Sequence, residues 1–135
     1  MIKLTADMKQ MLQENLAYIA TVDAHGYPDI GPKISVYALD DQHIGYYERT
    51  GKQHYQNLQA NGILIIAVAN KVTMRGYRFH GETELHTDDH IFQDAVQFAQ
   101  THDLKRPLTV PVLRITRIDT LDAGPRAGEV LVSED

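Results

Sequence analysis

The chain has 135 residues, 43% of them hydrophobic, no cysteine and a formal net charge of −5. That is one domain, residues 1–135, with apolar material enough for a core and no apolar run near the ~20 residues of a membrane span. The acidic balance argues against nucleic-acid binding, and the missing cysteines exclude disulfides, thiolate nucleophiles and zinc–thiolate sites. The opening MIKLTADMKQ is charged where a secretory signal is apolar, so a cytoplasmic location is expected.

DMKQMLQENLA puts Met8, Met11, Leu12 and Leu16 on one helical face, with Thr5 or Asp7 as the cap. YIATVDAHGYPDI reads as strand, turn, strand, with Gly26 at positive φ and Pro28 opening the second strand. KISVYAL continues as a strand with Ile34, Val36 and Ala38 on one face, and LDDQH turns the chain into the strand IGYYE. A polar turn, RTGKQH, leads to the helix YQNLQAN. ILIIAVA is continuously apolar and is expected to be covered on both faces.

YRFHGETELH alternates: Tyr77, Phe79, Thr83 and Leu85 point one way, and Arg78, His80, Glu82, Glu84 and His86 the other. HTDDHIFQDAVQFAQTH is an amphipathic helix that buries Ile91, Phe92, Ala95, Phe98 and Ala99 behind an N-cap at Thr87 or Asp88. LTVPVLRITRIDTL is a long strand whose pattern slips between Val112 and Leu113, so a bulge is expected beside Pro111. GPRAGEVLVSED reads as an irregular acidic tail. Hairpin turns between about six strands predict a mainly β fold, a small closed or half-closed antiparallel barrel with flanking helices.

The turn before the second helix carries the chemistry. Arg49, Thr50, Lys52, Gln53 and His54 crowd hydrogen-bond donors at a helix start, and Gly51 clears a side chain from their midst. Such a turn either caps the helix or holds an anion, most often a phosphate. No P-loop and no G-x-G-x-x-G fingerprint is present. His80, His86 and His90 invite a metal site, but Arg78, Glu82 and Glu84 share their face, the mixture of a solvated surface, and no metal is expected. Tyr37, Tyr46, Tyr47 and Tyr55 could stack on a ring or simply follow the preference of strands for tyrosine.

The order of these segments resembles the flavin-binding split-barrel family, the group of pyridoxamine-phosphate oxidase and small bacterial FMN-binding proteins. The likeness spans nearly the whole chain and rests on ATV…GYP, GPKI, the Thr/Lys turn ahead of NLQAN, RFHGETEL and GPRAGE. It implies a six-stranded split β-barrel and an FMN cofactor whose phosphate sits on Arg49, Thr50, Lys52, Gln53 and His54. Relatives usually carry a basic residue at the position of His54, which shifts the phosphate role toward Lys52. The resemblance also implies that Pro32, Lys33, Ile34 and Ser35 lie against the isoalloxazine ring, and that Tyr47 and Glu48 lie under the ribityl chain or ring edge. In this family two subunits share the flavin, so a homodimer is implied, with Arg75 or Tyr77 supplied by the second copy.

The expected function is that of an FMN-dependent oxidoreductase on a small molecule. The alternatives are a flavin store, sensor or electron carrier, the same fold holding deazaflavin or haem, or a scaffold with a degenerate site. No catalytic side chain is named, because the flavin supplies the chemistry. Pyridoxamine-phosphate oxidases close over their substrate with a C-terminal segment containing Trp, Arg and His. Here there is no Trp, and the residues after the last expected strand hold one arginine, Arg126, and no histidine, so a different substrate is expected.

Overall fold

In the computed structural model, which describes all 135 residues, the first helix, α1 (Ala6–Glu14), is capped by Thr5, whose hydroxyl accepts from the Met8 amide at 3.2 Å. Met8, Met11 and Leu12 are buried as expected, but Leu16 lies beyond the helix end and is 47% exposed. Asp7, the other cap candidate, instead pairs with Arg75 at 2.8 Å.

β1 (Ala17–Val22) and β2 (Pro28–Lys33) form the predicted hairpin. Its turn is closed by the Asp23 carboxylate, which accepts from the amides of His25 and Tyr27, and Gly26 takes φ +86°. The expected strand through Ile34 breaks, and Ile34 is 90% exposed. The chain leaves the sheet edge there to form β3 (Tyr37–Ala38), which pairs with β4 (His43–Gly45).

α2 (Gln53–Asn61) ends on Gly62 at φ +70°. It lies over β1, held by a polar network. The Thr21 hydroxyl accepts from Asn57 Nδ2 at 3.0 Å and meets His54 Nδ1 at 2.7 Å, while Gln53 Nε2 donates to Asn57 Oδ1 at 2.7 Å. With Thr21 accepting from Asn57, its own proton is free for His54 Nδ1. That assignment puts the proton of a neutral ring on Nε2, 3.6 Å from Asp29 Oδ2.

β5 (Ile63–Asn70), β6 (Arg75–His86) and β7 (Val110–Thr120) complete the body of the sheet, whose order is β2-β1-β5-β6-β7-β4-β3, antiparallel throughout. Only one face of β5 is covered within the chain: Leu64, Ile66 and Val68 are buried and Ile63 is 52% exposed. α3 (His90–Thr101) is capped by Asp89, one residue later than expected, through the Phe92 amide.

The bulge lies at Thr116, between the pairs His80↔Arg117 and Gly81↔Ile115, not beside Pro111, where the register runs unbroken. The slip in hydrophobic phase has another cause. Leu113 and Ile115 face the main core, whereas Val110 and Val112 face the opposite way, under Phe92, Ala95 and Val96 of α3. The tail is not irregular either: Val130–Ser133 forms β8 along β7. The result is a curled antiparallel half-barrel with three helices, of eight strands rather than six because β3, β4 and β8 are short pieces. No helix is long and apolar enough to cross a membrane.

One buried charge sits at the β6–β7 seam. Asp119, with no exposed side-chain area, accepts from Arg78 Nε and Arg117 Nε, each at 2.7 Å, and lies 2.7 Å from His80 Nε2. Burial opposes its ionisation, but the hydrogen bonds from Arg117, Arg78 and His80 outweigh burial and hold its pKa down to about 2.

Two predictions follow from these contacts. Burial lowers the pKa of His54, so its folded-state contribution is present above the unfolded value near 6.5 and is lost as pH falls through the lowered folded value. His54→Ala should cost about 1–2 kcal/mol at pH 7.5 and flatten the wild type's loss of melting temperature from neutral pH to about 5; parallel melting curves across that range would refute it. Asp119 has a depressed pKa, so its stabilisation is full above about 4 and fades toward about 2. Asp119→Asn should therefore melt lower at pH 7, with the difference shrinking in acid, a trend that denaturant titrations from pH 7 to 2.5 would test.

Candidate functional site

The site begins where β4 ends. Residues 46–48 continue along the edge of β7, with the Tyr46 amide donating to Pro111 O at 3.2 Å and the Glu48 amide to Thr109 O at 3.0 Å. Extended backbone alternates its side chains. Tyr46 and Glu48 therefore turn inward and are fully buried, while Tyr47 turns outward and is part-exposed. The end of β2 is tied to this segment. Ser35 Oγ accepts from the Tyr47 amide at 2.9 Å, and Lys33 Nζ lies 3.5 Å from Glu48 Oε1.

Glu48 organises the turn. Its Oε2 accepts from the Thr50 amide at 3.0 Å, the Thr50 hydroxyl at 3.1 Å and the Gly51 amide at 3.1 Å. Burial alone would raise its pKa, but the Gly51 and Thr50 amides, the Lys33 ammonium and the Thr50 hydroxyl hold it below the ordinary value. Tyr46 is pushed well above its usual pKa, by burial first and by the Glu48 charge second, so it stays a neutral phenol.

Beside the turn lies a cleft of about 530 Å³ lined by Ile34, Ser35, Val36, Tyr37, Tyr47, Arg49, Phe98 and Leu104. Tyr47 is its centre: its ring packs at 5.5 Å from Tyr37 and 5.8 Å from Phe98, with the Arg49 guanidinium 5.7 Å from its centroid. Burial raises the Tyr37 pKa to about 12, so this wall is uncharged as well.

The residues singled out from the sequence do not all meet. Ile34, Ser35, Tyr47 and Arg49 line the cleft, while Lys33 faces the buried Glu48 beside it. Pro32 sits on the exposed edge strand, and Lys52 and Gln53 are exposed at the start of α2. His54 is committed to Thr21, and Thr50 with the Gly51 amide to Glu48. Arg75 stands three strands from Lys33 across the sheet, paired with Asp7 and with Asp122 at 3.6 Å. Sequence reading missed Leu104 and assigned Phe98 to the buried stripe of α3. Phe98 is 43% exposed and forms a cleft wall, which helical spacing cannot distinguish from core.

A phosphate-bearing group fits this rim in part. Arg49 Nε is buried and has no hydrogen-bond partner, Lys52 is exposed, and no side chain caps the start of α2. These leave two cations and the free first-turn amides of a helix for an anion. Of these groups, Arg49 lines the ring-sized apolar cleft.

The match to known proteins agrees with this architecture. The family model described as pyridoxamine 5'-phosphate oxidase matches residues 4–122. HupZ of Group A Streptococcus is 37% identical, with a TM-score of 0.84 over 93% of this chain and 99% of that one. A proposed pyridoxamine 5'-phosphate oxidase from Lactobacillus delbrueckii is 30% identical, with a TM-score of 0.74 over 87% and 94% of the two chains. An uncharacterized protein of Methanocaldococcus jannaschii is 26% identical over 99% of this chain and 91% of its own length. An FMN-binding protein, an F420 reductase and a heme binding protein, each 16–18% identical, share the fold alone. Half-barrel, element order and family match converge: the chain belongs to the pyridoxamine 5'-phosphate oxidase family of split-barrel proteins.

Proposed function

We propose that the chain binds FMN and acts as a flavin-dependent oxidoreductase on a small molecule. The observation that carries the reading is a ring-sized apolar cleft whose lining includes Arg49, three residues along the chain from the exposed Lys52 at the uncapped start of α2. A ligand that is planar at one end and anionic at the other answers both halves. Bound flavin would supply the hydride or electron chemistry. The chain's own part is binding and orientation. Tyr47, Tyr37 and Phe98 offer the ring an apolar bed and exclude water, Arg49 and Lys52 meet the phosphate, and Ser35 fixes the Tyr47 backbone so that its ring keeps its place.

The homodimer belongs to the same reading. Tyr18, Ile30 and Ile63 are exposed on neighbouring strands of the outer sheet face, an apolar surface that a second copy would cover. In such a pair Arg75 could reach the partner's flavin only by loosening its pairing with Asp7.

Flavin affinities, an absorption spectrum and an oxidase assay test the reading. FMN should bind more tightly than riboflavin, and Lys52→Ala should weaken FMN about tenfold or more, the worth of a charged hydrogen bond, with an unchanged melting curve because the side chain is exposed. Equal affinities for the two flavins, or a haem absorption band in freshly purified protein, would refute it. Flavin-loaded protein given pyridoxamine phosphate and oxygen should form no pyridoxal phosphate beyond background, since Arg49 and Lys52 can serve only one phosphate; saturable product would require further cations at the substrate site.

A further inference from the structure

We propose that Glu48 is the specificity-determining residue of this site: its carboxylate fills the anion receptor formed by the Thr50–Gly51 turn and confines a ligand's phosphate to Arg49 and Lys52 outside it. The inference rests on the flavin reading above. The receptor is complete in the chain itself. Gly51 takes φ +65°, and its amide and that of Thr50 converge on one point, joined there by the Thr50 hydroxyl. Successive amides in such a turn form a concavity for an anion. A side chain at Gly51 would be strained at that φ, and its Cβ would come 2.9 Å from Leu108 Cδ1. The turn is thus built for its present shape.

The occupant is the carboxylate two residues upstream. Being tethered, it acts at an effective concentration that a free anion cannot match. It is also fully buried, and its other oxygen, Oε1, makes no hydrogen bond and has only Lys33 Nζ, at 3.5 Å, as a counter-charge. A phosphate entering the same turn would meet this charge at close range in a poorly screened place. The site therefore reads a phosphate only through side chains at its rim. Removing the charge at position 48 should open the inner receptor.

The test uses the full-length, ¹⁵N-labelled protein. In the wild type, inorganic phosphate should leave the Thr50 and Gly51 amide resonances unmoved. In Glu48→Gln it should shift them, and the FMN-to-riboflavin affinity ratio should rise about tenfold. Should that variant fail to fold, Glu48→Met keeps the volume without the charge. Shifts of the two amides with phosphate in the wild type would overturn the proposal, as would an equal loss of both flavins in the variant, which would make Glu48 only a brace of the turn. If neither flavin binds the wild type, the flavin reading fails, while the phosphate titration still decides the role of Glu48.

Discussion

The split of the half-barrel is bridged by two side chains, Lys33 at the end of β2 and Ser35 just beyond it. The sheet order leaves β2 at one end and the β3–β4 pair at the other, with no strand pairing to join them. Ser35 crosses this gap by accepting from the Tyr47 amide, and Lys33 crosses it by facing Glu48. One hydrogen bond is worth about 1 kcal/mol, yet the geometry that hangs on this one is large. It ties the end of β2 to residues 46–48, whose backbone phase the edge of β7 sets. That phase sends Glu48 inward under the turn and Tyr47 outward into the cleft. Were the segment to slip by one residue, every side chain would exchange faces.

β7 supplies the other edge of this arrangement. It is buried on one side against the main core and on the other, near its start, beneath α3. Serving both layers makes it the strand that carries β6, β4 and β8 together. It also brings α3 close enough for Phe98 to stand beside Tyr47. The cleft therefore exists because a helix covers β7 and an extended segment runs along its edge. The bulge at Thr116 lets the strand continue to Asp119, whose buried charge is answered from three directions.

The chain is acidic as a whole, yet its site is a place of local cations and oriented amides. Family membership does not by itself determine what they hold, since proteins of this fold include FMN-binding, F420-reducing and heme-binding members. Function lives in the site grafted on the fold. Here the distinctive feature is that the amides and hydroxyl of the Thr50–Gly51 turn are taken up by the chain's own glutamate.

What the sequence determined by itself is what depends on near neighbours in the chain. The β1–β2 turn with Gly26, the capped amphipathic α1, the alternation of β6 and the donor-rich turn before α2 are all set by local spacing and side-chain chemistry. The convergence of Lys33, Ser35, Tyr47 and Glu48 was legible only through the resemblance of the whole segment order. The tertiary structure decided the rest. β5 reads as buried on both faces, but a run of apolar residues does not reveal whether the second face meets this chain. The double burial of β7 mimics a bulge, because two cores reward opposite phases of one strand. Phe98 and Phe92 share a helical stripe, and only the approach of Tyr47 makes one a cleft wall and the other core. His54 and Thr50 read as phosphate ligands, for their residue types donate hydrogen bonds, and the resemblance set Glu48 under the ribityl chain or ring edge. Which of them bind the chain itself depends on partners as distant as Thr21 and Lys33, and those contacts form only when β1, β2 and α2 have packed together.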